Sequence, residues 1–297
     1  MIKNSRPIDL IGRSILYAIL ITGGITMVIP FFWMISNSLK TIGEVFVFPP
    51  KWIPSQIKWN NYVEAWKAVP FGRFYINSIF VVIAITFGQV LTSSLAAYSF
   101  ARLNFPGRDK IFFGYLATLM IPGAVTMIPV FCLLKVLGGI WDTPIYLGNI
   151  YIGKPIGVDS YFALIVPGMF SAYGTFLLRQ FFLTIPIDLE EAAKIDGCST
   201  FGIYSRIILP LSGPALATLT IFTFMGAWRD FMWPLIVTNS TEMKTLPVGL
   251  ASFQGLYSTN WPYLMAGSMM VMAPLIVLFI FNQKYFVEGI KLTGIKG

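Results

Sequence analysis

The sequence predicts an all-α integral membrane protein with six transmembrane helices and one long polar loop between the fourth and the fifth. Three observations carry this. The 297 residues are 56% hydrophobic and 11% charged, with mean hydropathy +0.73, whereas soluble domains carry about a quarter charged residues. The charges leave uncharged stretches of span length, about 20 residues each. Within those stretches apolar residues cover every face, which excludes the alternation of a β-barrel. Backbone in lipid must satisfy its own hydrogen bonds, so the stretches are helices.

Lys3, Arg6 and Arg13 precede an apolar run, Ser14–Leu39, that is too long for a signal h-region and lacks a small-residue cleavage pattern, so it is read as a retained first span. Spans are placed at 14–36, 75–100, 111–134, 160–178, 211–237 and 264–282, within a single transmembrane domain, 1–297. Residues 40–73 form a loop with Pro49, Pro50, Trp52, Pro54, Trp59, Trp66 and Pro70, read as aromatic interface anchors. Residues 136–159 form a second loop with glycines and tyrosines.

Positive charge sets orientation. Twelve Lys/Arg lie on one side: three at the N-terminus, Arg102, Arg108 and Lys110, then Arg179, Lys194 and Arg206, then Lys284, Lys291 and Lys296. Eight lie opposite, five of them in the long 40–73 loop. Both termini are therefore expected in the cytoplasm. The net charge of +8 follows from this bias. Nucleic-acid binding is excluded as its cause, because no basic patch is interleaved with aromatics. There is no histidine, and the two cysteines, Cys132 and Cys198, lie far apart. A metal site and a disulfide framework are not expected.

The loop 186–210 reads PIDLEEAAKIDGCSTFGIYSRIILP. Asp188 and Glu191 stand at capping-box spacing. Gly197 sits where a left-handed residue ends a helix, and Ser199 or Thr200 can cap the next one. Ile203 and Ile207 share a face of that second helix, which runs to Pro210. Ala192 and Ala193 are expected to present a small surface that another protein's backbone can approach, with Glu191 at its edge. Connectors are usually about 4–6 residues, and this one is far longer.

Glu191-Ala192-Ala193, Gly197, Ile207, Leu209 and Pro210 resemble the EAA loop of bacterial ABC importer permeases. Further stretches resemble the second permease of maltose-type carbohydrate importers: Ser38-Leu39-Lys40, Asn61-Tyr62, Ala97 to Arg102, Ile121-Pro122, Leu177 to Phe182, Trp233-Pro234-Leu235, Leu246-Pro247, Phe286 to Gly289 and the ending Gly294 to Gly297. The resemblance implies a permease subunit that translocates a sugar or oligosaccharide delivered by a periplasmic or lipid-tethered binding protein. It implies pairing with a paralogous permease and location in the bacterial inner membrane. It also implies a dimeric cytoplasmic ATPase contacted through Glu190, Glu191, Ala192, Ala193, Asp196, Gly197, Ile207, Leu209 and Pro210. The chain has no G-x-x-x-x-G-K-[ST] phosphate loop. It is expected to be no enzyme and to hold no cofactor, with ATP-Mg bound only by the partner.

Two departures stand out. Arg229 occupies a place where the resemblance leads one to expect Asn, and 137–159 looks longer than usual. An intramembrane cation needs a partner. That partner is either a carboxylate of the same or a neighbouring subunit, or an acidic substrate of the uronic-acid type. Arg229, Asp230, Trp228, Tyr98 and Trp233 are the candidate residues of the substrate path. Alternatives from other classes are an ion-coupled secondary transporter, for which only Asp230 offers a buried acid, and a polytopic membrane enzyme, for which the spans carry no polar catalytic cluster.

Overall fold

The computed structural model describes the backbone of residues 7–140, 143–148, 150–255 and 259–294, and side chains within 12–281. The helices, in chain order, are α1 (Pro7–Ser38), α2 (Asn60–Ala68), α3 (Phe71–Arg102), α4 (Arg108–Ala117), α5 (Gly123–Ile140), α6 (Tyr161–Ile165), α7 (Ala172–Thr184), α8 (Asp188–Ile195), α9 (Thr200–Ile203), α10 (Leu209–Leu211), α11 (Gly213–Arg229), α12 (Met232–Val237), α13 (Leu246–Leu250) and α14 (Trp261–Gly294). A two-stranded antiparallel hairpin, β1 (Tyr146–Leu147) and β2 (Ile150–Tyr151), lies in the 136–159 segment. Five helical stretches are long and apolar enough to cross a membrane: Gly12–Ser38, Phe71–Arg102, Gly123–Ile140, Tyr161–Thr184 and Trp261–Phe281. A sixth candidate is the pair Thr200–Leu211 and Gly213–Arg229, bent by 78°.

The third stretch differs from the placement at 111–134. Pro122 disfavours helical backbone in the residue before it, and Ile121 is extended at φ −86°, ψ 118°. The helix that starts at Arg108 therefore ends, and Gly123–Ile140 is the stretch of membrane length.

The chain divides into two compact units. One comprises residues 1–69 and 250–273. In it, Lys40 is fully buried although it follows a span directly. Its Nζ donates to Asn37 Oδ1 at 2.8 Å and to the Lys51 carbonyl, and lies 4.4 Å from the Trp33 ring centre. Asn61 Nδ2 donates to the carbonyls of Ser38 and Lys40, both at 2.8 Å. The two landmarks Ser38-Leu39-Lys40 and Asn61-Tyr62 are thus one contact, which holds the chain after α1 against α2. Apolar residues of α1 such as Tyr17, Ile19 and Met27 stay uncovered, as lipid-facing residues do.

The other unit comprises 70–249 and 274–297. Its centre is α3, packed against α7 and α11. The approach is close: a Cβ at Gly174 would lie 2.6 Å from Ser93 Oγ and 3.1 Å from Leu219. One buried cluster gathers Tyr98, Leu178, Phe182, Ala193, Ile203, Tyr204, Ile208 and Leu219. A second gathers Val81, Leu134, Ala163, Leu164, Val237 and Met243.

Candidate functional site

The segment 186–210 is built as two helices around a glycine corner. In α8, Gly197 N donates to Lys194 O at 3.0 Å and Cys198 N to Ala193 O at 2.9 Å. These are the two bonds of a Schellman motif, which requires a left-handed residue between them. Gly197 supplies it at φ +80°. Ser199 then caps α9, its Oγ accepting from Gly202 N at 3.1 Å. The start of α8 departs from expectation. Ile187 is the cap, without a side-chain bond, and Asp188 is already the first helical residue. Its carboxylate therefore acts on the N-terminal dipole rather than as a cap.

The two glutamates face opposite ways. Glu191 is exposed, whereas Glu190 is buried and pairs with Arg102 at 2.9 Å between Nε and Oε1. The same guanidinium donates from Nη2 to the carbonyls of Phe182 and Ile185. Arg102 thus joins the end of α3, the end of α7 and the first turn of α8. The alanines divide likewise. Ala192 is exposed, but Ala193 is buried in the cluster with Tyr98 and Ile203. The expectation that Ala193 offers a free surface is corrected: it is the residue through which α8 packs on its own chain. The outer face carries Leu189, Glu191, Ala192, Ile195 and Asp196, all exposed, with Ile195 87% exposed. Phe201 continues this apolar surface from α9.

Beyond α9 the helix widens. Residues Tyr204–Ile208 form a π turn, closed by Leu209 N donating to Tyr204 O. Pro210 has no N–H to give, and its ring crowds the carbonyl four residues back. One residue is absorbed in the wider turn. Ser212 N, bonded to Ile208 O and Leu209 O at 3.1 Å, marks the bend before α11. Ile207 and Leu209 are half-buried and Pro210 is exposed.

The proposed substrate-path residues do not come together. Tyr98 is buried in the cluster under α8, its hydroxyl 3.3 Å from Thr200 O. Trp228 is buried and stacked on Phe224, with ring centres 5.8 Å apart. Trp233 donates from Nε1 to Ala163 O at 2.9 Å. Asp230 is half-buried and accepts from Trp233 N at 3.3 Å. Arg229 is exposed, and its Nε donates to Met225 O at 3.2 Å. Among the described residues it joins no ion pair.

Two residues escaped the sequence reading. Arg102 was visible only as a charge ending a span, with nothing local to tie it to Glu190. Asp159 was visible only as a span boundary. It is buried at φ +64°, and its Oδ1 accepts from Asn239 N (2.8 Å), Ser240 N (2.9 Å) and Ser240 Oγ (3.0 Å), while Oδ2 accepts from the Tyr151 hydroxyl at 3.0 Å. Burial, then the Asp159 carboxylate, push the Tyr151 phenol above its usual range, so it stays a donor.

Residues 89–291 match the family described as "Binding-protein-dependent transport system inner membrane component". The chain is 36% identical over 263 residues to the arabinooligosaccharides transport system permease protein AraQ of Halalkalibacterium halodurans, covering 88% of this chain and 86% of that protein. It is 32% identical over 298 residues to the sn-glycerol-3-phosphate transport system permease protein UgpE of Pectobacterium atrosepticum, covering 98% of each. A chain of a bacterial ABC transporter involved in the import of the acidic polysaccharide alginate has the same fold, with TM-score 0.81 and 22% identity over 95% of this chain and 99% of that one.

Proposed function

Because this chain belongs to the binding-protein-dependent transport system inner membrane component family, we propose that it is one permease of an ATP-driven importer for a sugar or oligosaccharide. A paralogous permease completes the membrane part, a dimeric cytoplasmic ATPase supplies the energy, and an external binding protein delivers the solute. Hydrolysis belongs to the ATPase, and this chain binds no cofactor itself. Both termini face the cytoplasm, in line with the positive-charge bias.

The observation that carries the reading is α8. Its inner face is held by the Arg102–Glu190 pair and Ala193, while Leu189 and Ile195 stay uncovered on its outer face. A short amphipathic helix with free apolar anchors suits a groove on another protein. Because α8 is tied to α3 and α7, motion of that groove would move the spans as rigid bodies. The test is reconstitution of both permeases, the ATPase and the binding protein in proteoliposomes. Ile195→Asp lies on the exposed face, so the permease pair should assemble normally. ATPase capture and ATP-dependent uptake should fall at least tenfold. Unchanged capture and uptake would remove α8 as the docking element.

An acidic solute is the narrower reading. It is supported by Arg229, which is exposed with no ion pair among the described residues, and by relatives and fold neighbours named for anionic solutes. A cation at the centre of a membrane helix costs about 2.5–3.5 kcal/mol on insertion scales, and an anionic solute would offset that. Arg229→Asn should weaken uptake of an oligouronate while sparing a neutral arabino-oligosaccharide. Equal losses for both would make Arg229 structural.

A further inference from the structure

A cavity of about 430 Å³ opens between α3, α7 and α11, within the ~300–1,000 Å³ typical of small-molecule sites. On α11 its wall is a single face, residues 219, 222, 223, 226, 227 and 230, spaced by three and four. Leu219 and Ile85 form an apolar floor, and Tyr173 and Phe222 supply aromatic rings. Polar groups converge there as well. Gln89 donates from Nε2 to Thr223 Oγ1 at 2.9 Å across α3 and α11, and Asp230 stands at the end of the same face. A Cβ built on Gly226 meets no atom within 4 Å, so the space is unfilled.

An amide and a carboxylate at one membrane-embedded surface are costly against lipid, and such groups face a polar cavity or a partner. We propose that this cavity is a carbohydrate subsite of the transport path, holding one sugar ring. Tyr173 and Phe222 offer faces for the apolar C–H side of the ring. Gln89, Thr223 and Asp230 exchange hydrogen bonds with its hydroxyls. The proposal rests on the import reading above. It adds that this subunit, by this face of α11, touches the solute.

The test uses the complete four-component complex with Cys132→Ser and Cys198→Ser, so that single new thiols can be labelled. Gly226→Cys enters open space, and Phe87→Cys replaces an exposed apolar side chain of α3 as the lipid-facing control. A water-soluble, membrane-impermeant sulfonate methanethiosulfonate should label Gly226→Cys at least tenfold faster than Phe87→Cys. Arabinotriose or a trimeric uronate, whichever the parent complex transports, should slow that labelling at least threefold. Gly226→Trp should cut uptake at least tenfold while ATPase capture is kept. Labelling no faster than at Phe87→Cys means that lipid or protein covers the face, and overturns the proposal. Fast labelling without protection, with Gly226→Trp still transporting, also overturns it, because the cavity is then wet but empty of sugar. If the parent takes up neither trisaccharide, the import reading fails, and the sugar occupant fails with it.

Discussion

Glu190 and Asp159 are both buried carboxylates, yet they are satisfied in different ways. Glu190 meets a charge, the Arg102 guanidinium at 2.9 Å. Asp159 meets four hydrogen-bond donors, two of them the backbone N–H groups of Asn239 and Ser240. The first arrangement depends on charge, because losing either partner strands the other in a low-dielectric site. The second depends on geometry, because the donors are dipoles that any well-placed oxygen can satisfy. The two also fasten different things. Arg102 and Glu190 tie three helices together at one junction. Asp159 ties two loops, 151–159 and 239–240, at a residue whose own backbone is left-handed.

An isosteric amide at each position separates the two arrangements. Glu190→Gln keeps shape and loses charge, leaving Arg102 buried and unpaired, so it should cost about 3–5 kcal/mol. Thermal unfolding of the purified complex measures it. Adding Arg102→Met should recover part of that loss, as when a buried pair is replaced by apolar side chains. Asp159→Asn should cost only about 1 kcal/mol, one hydrogen bond. Asn tolerates positive φ and keeps a carbonyl oxygen for Asn239 and Ser240. Equal losses at both positions would break the comparison.

The glycine corner is a purely conformational case between them. A Cβ at Gly197 meets nothing within 4 Å, so Gly197→Ala reports the left-handed backbone alone, at about 1–2 kcal/mol. Its mark should be a loss of ATPase capture larger than the loss of permease-pair stability, since the corner orients α8 without filling a core.

Lys40 gives the smallest effect, with the opposite charge sign. Burial holds its ammonium below the usual 10.5, only partly offset by Glu44. The unfolded chain therefore binds more protons than the folded one in the window just below 10.5, and stability rises with pH there. Unfolding followed from pH 8 to 10.5 should show a small gain in the parent that is missing in Lys40→Met. A parent curve that falls over the same window would mean that the buried ammonium is favoured.

Much of this was legible in the sequence because membrane insertion writes itself into composition. The uncharged stretches marked the spans, and the turn chemistry of Gly197 and Ser199 marked the corner, since both act over a few residues. The facing of individual side chains was not legible. Glu190 and Glu191 are neighbours of the same type, and only the position of Arg102, far away in the chain, decides which is buried. Ala193 is small enough to suit either a docking surface or a packed contact, and packing against Tyr98 and Ile203 took it. Asp188 has a capping residue's identity, but the helix begins at it rather than after it. The break at Pro122 was written in the sequence, yet the apolar run on both sides of it hid the punctuation.

The π turn at Tyr204–Ile208 has a consequence for rotational phase. An α-helix advances about 100° per residue, and a π turn stores one extra residue within an otherwise helical segment. Upstream lies α9, anchored beside α8. Downstream lies α11, whose face with Leu219, Thr223 and Gly226 lines the cavity. Removing one residue from the turn would restore α-helical winding and turn α11 by about 100° against α9, carrying that face away from Gln89. The turn therefore works as a keyed joint: it sets the angle at which everything beyond Pro210 meets α3, and a single-residue deletion there rewrites that angle without changing one contacting side chain.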